Sequence, residues 1–98
     1  MALRFIEDPG HGWLRVPLSE YPDAIESATG HGYWSKDRTA VYLEEDVELA
    51  DFLIRHPEVS FFDVPWSYVQ RFDTSRRERL PRNLTFDQWL AKSRARAS

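Results

Sequence analysis

At 98 residues, with 42% hydrophobic, 14% aromatic and 30% charged content, the chain has the composition of one folded domain and not of a disordered segment. It contains no cysteine, which excludes a disulfide framework and a thiolate zinc site. The net charge of −3 hides a split: residues 1–70 hold five Lys/Arg and thirteen Asp/Glu (−8), and residues 71–98 hold eight and three (+5).

Leu3-Arg4-Phe5-Ile6 reads as a first strand, stopped by Asp8-Pro9-Gly10. Gly10 and Gly12 flank His11, where positive φ is expected on both sides of the imidazole. Trp13 to Val16 alternates as a second strand and stops at Pro17. Ser19 is then placed to cap a short helix in which Tyr21, Ala24, Ile25 and Ala28 share one face, with Gly30 ending it. Tyr33-Trp34-Ser35 and Thr39 to Leu43 flank Lys36-Asp37-Arg38 in a hairpin pattern.

Asp46 is the expected N-cap of the best-defined helix, Val47 to about Arg55. Its wheel puts Val47, Leu49, Ala50, Phe52, Leu53 and Ile54 on the covered face and Glu48, Asp51 and Arg55 on the solvent face. Asp51 and Arg55 are an i,i+4 pair, and His56-Pro57 ends the helix. Val59 to Val64 reads as a central or well-covered strand, expected in one sheet with Trp13 beneath Leu49 and Leu53. Thr85-x-x-Gln88 is a capping box opening a last helix, with Phe86, Trp89 and Leu90 as its buried stripe and Lys92, Arg94 and Arg96 near its C-terminal end.

The order ββαββαβ followed by a helix predicts an α+β fold: a small mixed or antiparallel sheet of about five strands, packed by two to three helices. Residues 1–98 form a single domain in this reading, with 65–98 a basic C-terminal segment ending in a helix. No apolar run reaches membrane-spanning length, and Met1-Ala2-Leu3-Arg4-Phe5 lacks the apolar stretch of a signal peptide. No membrane association and a cytoplasmic location are therefore expected.

Gly-His-Gly-aromatic occurs twice, at Gly10-His11-Gly12-Trp13 and Gly30-His31-Gly32-Tyr33. Were the following strands neighbours, both imidazoles could approach Glu44, Glu45 or Asp46 and offer a metal set. Metal-binding histidines more often share fixed spacings on one element, so turn histidines, no metal and no cofactor are expected. His56 has no evident partner in the sequence. No Gly-x-Ser-x-Gly elbow surrounds Ser19, Ser27, Ser35, Ser60 or Ser67, and neither Walker nor Rossmann glycine patterns appear, so no enzymatic activity is expected.

Two charged surfaces remain as candidates. Glu44, Glu45, Asp46, Glu48 and Asp51 could form an acidic face on a strand end and helix, suited to a basic groove on a protein. Arg71, Arg76, Arg77, Arg79 and Arg82, with Trp66, Tyr68 and Phe72 nearby, could instead track phosphates. The −8 of the body opposes a polyanion, and the basic segment could equally fold against its own acidic body.

The run Asp8-Pro9-Gly10-His11-Gly12-Trp13-Leu14-x-Val16-Pro17, followed by Tyr42-Leu43-Glu44-Glu45-Asp46 and a Phe52-Leu53 helix, resembles a small family of uncharacterised domains carried by phages, plasmids and related mobile elements. The resemblance covers roughly the first 64 residues and brings no established activity or functional residues. It implies a genomic setting rich in small proteins that disable host defence machinery. The expectation is a non-enzymatic protein-binding module, in its specific form an anti-CRISPR or other anti-defence inhibitor acting on a host protein or nucleoprotein complex. The alternative is a nucleic-acid-associated accessory protein using the C-terminal arginines, and a metal-dependent hydrolase using His11 and His31 comes third.

Overall fold

The computed structural model describes residues 3–83 together with 87, 88, 90, 91 and 94. Five strands, β1 (Arg4–Glu7), β2 (Gly12–Pro17), β3 (Tyr33–Trp34), β4 (Ala40–Glu44) and β5 (Trp66–Tyr68), form one mixed sheet in the order β3-β4-β2-β1-β5. All neighbours are antiparallel except β1 and β5, which run parallel. One α-helix, α1 (Val47–Arg55), and two 3-10 turns, Pro22–Ser27 and Phe61–Asp63, complete the named elements. Positions 87, 88, 90, 91 and 94 are also helical. The Thr85 cap, Phe86, Trp89, Lys92 and Arg96 lie outside the described residues.

Alternation along the central strands sorts the side chains onto two faces. Leu14 and Val16 on β2 pair with Leu43 and Val41 on β4, and this face meets Leu49 and Phe52 of α1 in the core. Phe5 joins it from β1 and takes Phe61 edge-on at 5.1 Å. The opposite face carries Trp13, Arg15, Tyr42 and Tyr33. Residues 72–80 cover it as a strap. Phe72 lies 4.4 Å from Trp13 and 4.8 Å from Tyr42, Arg77 stacks over both Tyr42 and Phe72, and Arg79 stacks over Tyr33. The strap also closes the β3 edge, with Trp34 N–H donating to Glu78 O and Leu80 N–H to Gly32 O. Asp8 anchors its start, since one carboxylate oxygen accepts from the amides of Gly10 and His11 and the other from Phe72 N–H. Those backbone donors hold the Asp8 carboxyl below its ordinary value.

Three expected elements differ. The Val59–Val64 run is not a strand: Val59 and Val64 are buried, but a 3-10 turn between them leaves Phe62 99% exposed. Pro57 and Pro65 bracket the run and each lacks an amide donor, so the sheet resumes only at β5, as an edge. Trp13, alternating with the core residue Leu14 along β2, lies on the face away from α1 and meets Phe72 there. The segment after Ser19 is a 3-10 turn with Tyr21 at its cap position and no side-chain cap. Its expected apolar face nonetheless holds, because Tyr21, Ala24, Ile25 and Ala28 all pack on the core. Finally, Gly30 is the sole positive-φ glycine among the described residues. Gly12 is required for space instead, since a Cβ there would overlap the Phe5 ring and sit 3.0 Å from Glu45 Oε2.

Candidate functional site

Helix α1 spans Val47–Arg55 as its pattern predicts, but its polar flank is not a solvent face. Glu48 is 1% exposed and Asp51 0%, so neither belongs to an accessible acidic surface. Both carboxylates point at the end of the first 3-10 turn and the residues just after it. Glu48 Oε2 accepts from Thr29 N–H at 2.6 Å and from the Thr29 hydroxyl at 3.1 Å, and its Oε1 accepts from Glu44 N–H at 2.9 Å. Asp51 accepts from the Ser27 hydroxyl at 2.7 Å and from Arg55 Nε at 2.8 Å. Two carboxylates three residues apart thus fasten the helix to a chain segment whose donors are Ser27 and Thr29.

Asp46 occupies the helix N-cap position without capping it. Its backbone lies at φ 83°, a conformation disfavoured for any residue with a Cβ. The turn sends the chain sharply from β4 into α1, so the first-turn donors are not met by the Asp46 carboxylate.

This turn forms one wall of a pocket of about 210 Å³ lined by Thr29, His31, Glu44, Glu45, Asp46, Val47 and Glu48. Glu44 pairs directly across from Trp13, and Glu45 N–H donates to Gly12 O. The two Gly-His-Gly turns approach the Glu44–Glu48 turn through their second glycines: Gly12 packs on Glu45, and Gly32 packs on Tyr42 O and Glu48. His31 Nδ1 lies 2.9 Å from the Thr29 hydroxyl, whose one proton is directed to Glu48. In that arrangement His31 Nδ1 is the donor to Thr29. His11 is exposed and stacks on Trp13 at 5.3 Å, with Asp8 3.9 Å from its Nδ1.

Burial raises the Glu44 carboxyl above its ordinary value of 4.5, outweighing the lowering influence of His31 and His11, with Glu48 and Asp46 adding to the rise. Among the described residues, no group of three or more His, Cys, Asp or Glu side chains is placed to hold a metal ion. A raised carboxyl means the folded state binds its proton more tightly than the unfolded chain. Ionised Glu44 therefore costs stability above its folded pKa, and the cost vanishes once the pH falls below 4.5. Glu44→Gln is expected to melt above the parent at neutral pH and to lose that advantage below pH 4.5, as read from thermal melts across the range. An advantage that persists undiminished in acid would show that charge is not its source.

The C-terminal arginines are only partly available. Arg77 and Arg79 are stacked on the protein's own rings, and Arg79 also donates to Gly30 O. Arg82 bridges to Thr29 and packs on Gly30. Arg71 and Arg76 are exposed without such contacts, whereas Arg79 and Arg82 make theirs while still exposed and Arg77 is half-buried. Among the described residues, the ion pair joining this segment to the body, Arg38–Glu78, has the reverse polarity to the overall charge split. The basic segment docks largely by stacking and backbone bonds. A shallower cleft of about 260 Å³ brings Arg15, Lys36 and Arg77 together around Tyr42. Its Asp37 is held down to about 2 by the Ser35 and Thr39 hydroxyls and stays charged there, offsetting part of the positive field.

His56 has partners that the sequence did not disclose: Asp23 and Glu58 each lie 3.0 Å from a ring nitrogen, and Phe52 stacks beneath at 4.7 Å. Among the described residues no helix is long and apolar enough to cross a membrane. Compared with family models, curated proteins and solved structures, the chain finds no match.

Proposed function

We propose that the protein is a non-enzymatic protein-binding module that grips a basic segment of its partner at the Glu44–Glu45–Asp46 rim. One observation carries this reading. Three consecutive carboxylates edge a pocket and, among the described residues, none of the three has an ion-pair partner. Glu48 behind them is committed to Thr29 and Glu44, so it lends negative charge to the pocket without being accessible. A lysine or arginine head entering there would meet carboxylates with no internal cation to displace, and would relieve the burial cost on Glu44. The resemblance to domains of mobile elements supports a host protein or nucleoprotein complex as the partner, with inhibition of host defence as the consequence.

An arginine-rich peptide serves as the probe, titrated at two salt concentrations. Glu45→Lys and Asp46→Asn should each weaken binding by about tenfold, ~1.4 kcal/mol, and the deficit should shrink as salt rises. Arg71→Ala and Arg76→Ala should leave the titration unchanged. The nucleic-acid reading keeps only the accessible arginines and the Arg15–Lys36–Arg77 cleft. It takes over if the chain ignores the peptide but binds a short oligonucleotide and loses that binding in the Arg71→Ala, Arg76→Ala pair.

A further inference from the structure

The acidic rim leaves unexplained the large apolar side chains that stand exposed among the described residues. Phe62, Trp66 and Tyr68 are 99%, 61% and 57% exposed, and the last two form the edge strand β5. The hydrogen bonds from Phe5 N–H to Pro65 O and from Val69 N–H to Glu7 O fix how β5 meets β1. In a parallel ladder the residues that bond inward alternate with those that bond outward. Ser67 is therefore the inward residue, and the N–H and C=O of Trp66 and Tyr68 point away from β1. No described residue pairs with that side of β5. An open edge with two large aromatics is a template for another strand, and natural proteins normally blunt such edges.

We propose that β5 pairs with β5 of a second copy, antiparallel about a two-fold axis through Ser67. In that register Trp66 of one copy faces Tyr68 of the other, and each such pair exchanges both of its outward backbone bonds. The two aromatic cross-strand pairs then lie on one face of a sheet that runs continuously through both copies. Charge complementarity selects a second copy over an unrelated strand. Asp63, at the end of the turn before β5, and Arg71, just past the bend at Gln70, are both exposed and of opposite sign. The two-fold brings the acidic flank of one strand toward the basic flank of the other, twice. Arg4 donates to the Ser67 hydroxyl at 3.0 Å, so two guanidinium groups flank the axis, but both are exposed and their repulsion is screened by salt. The dimer would present two acidic pockets, which extends the proposed function without depending on it.

Sedimentation equilibrium of the full chain over a concentration series tests the proposal. A monomer–dimer equilibrium is expected. Tyr68→Pro, which removes an outward amide and no bond to β1, should weaken dimerisation by about tenfold or more. Asp63→Arg and Arg71→Asp should each weaken it, and the double reversal should restore it. Circular dichroism of each variant separates lost pairing from lost fold, and the restored double variant keeps the question open to test should Tyr68→Pro fail to fold. A chain that stays monomeric at every concentration overturns the proposal, and this result would leave β5 to a strand of another protein. A dimer indifferent to both single reversals, or a double reversal that does not recover, overturns it as well.

Discussion

Glu48→Ala is expected to destabilise the protein by about 3–5 kcal/mol, a large share of the total for a domain of this size. The side chain is buried and accepts three hydrogen bonds: two from Thr29, through its amide and hydroxyl, and one from the amide of Glu44. Alanine leaves one buried and one partly buried backbone amide, those of Thr29 and Glu44, without acceptors and opens a gap between α1 and the Thr29 segment. Each such orphan costs roughly 1–3 kcal/mol. Glu48→Gln should fall between parent and alanine, because an amide can offer one oxygen but must turn its NH2 toward the other donor. Glu45→Ala, one turn away on the rim, should stay within about 0.5 kcal/mol of the parent. Urea unfolding of the three variants gives the comparison. A Glu48→Ala protein within 1 kcal/mol of the parent would mean that those amides find other acceptors, and that Glu48 does not fasten the helix.

The contrast between Glu45 and Glu48 marks where the sequence was readable. The span of α1 follows from its apolar spacing and from Pro57, both local features. Which flank of the helix is covered depends on a second neighbour, the segment from Pro22 to Thr29, that no periodicity in α1 announces. Leu49 joins the core as expected, but Phe52 takes the buried place beside it and the expected Leu53 is only partly buried, whereas Glu48 and Asp51 meet Thr29 and Ser27. A wheel sorts residues by polarity and therefore assigned both carboxylates to solvent. Val59–Val64 failed for the opposite reason: its apolar density is real, but Pro57 and Pro65 confine it to a turn that buries only part of the run. The strands β1, β2 and β4 and the Lys36–Arg38 hairpin were legible because turn residues and alternation are written locally. The candidate pocket was legible in part. The doubled Gly-His-Gly motif and the Glu44-Glu45-Asp46 run pointed to one place. No local pattern announces that Thr29 and a buried Glu48 form its floor. Nor could the sequence show that the arginines at 77 and 79 would be spent on Tyr42 and Tyr33.

The doubled motif also yields a graded prediction, because its glycines differ in what stands beside them. At Gly32 a new Cβ would overlap the carbonyl oxygen of Tyr42 and come within 2.5 Å of Glu48 Oε1 and 2.9 Å of Leu80 Cδ1. The carbonyl belongs to β4, where Tyr42 pairs with Tyr33, so relief requires moving paired backbone. At Gly12 the obstacles are the far end of the Phe5 ring and the Glu45 carboxylate, groups that can give way by rotation at some cost to the core. At Gly10 the nearest atom is 3.9 Å away, an ordinary contact. Valine substitutions should therefore rank Gly32, then Gly12, then Gly10 in damage. The first should lose at least about 3 kcal/mol, the second roughly 1–3 kcal/mol by overpacking, and the third well under 1 kcal/mol. Gly32→Val should also disturb Glu48, since its carboxylate lies in the path of the new side chain. A Gly32→Val, Glu48→Ala double variant should then lose less than the sum of the two single changes. Equal melting temperatures for the Gly32 and Gly10 variants would show that the second Gly-His-Gly turn does not press against the acidic turn, and the pocket's geometry would have to be redrawn from there.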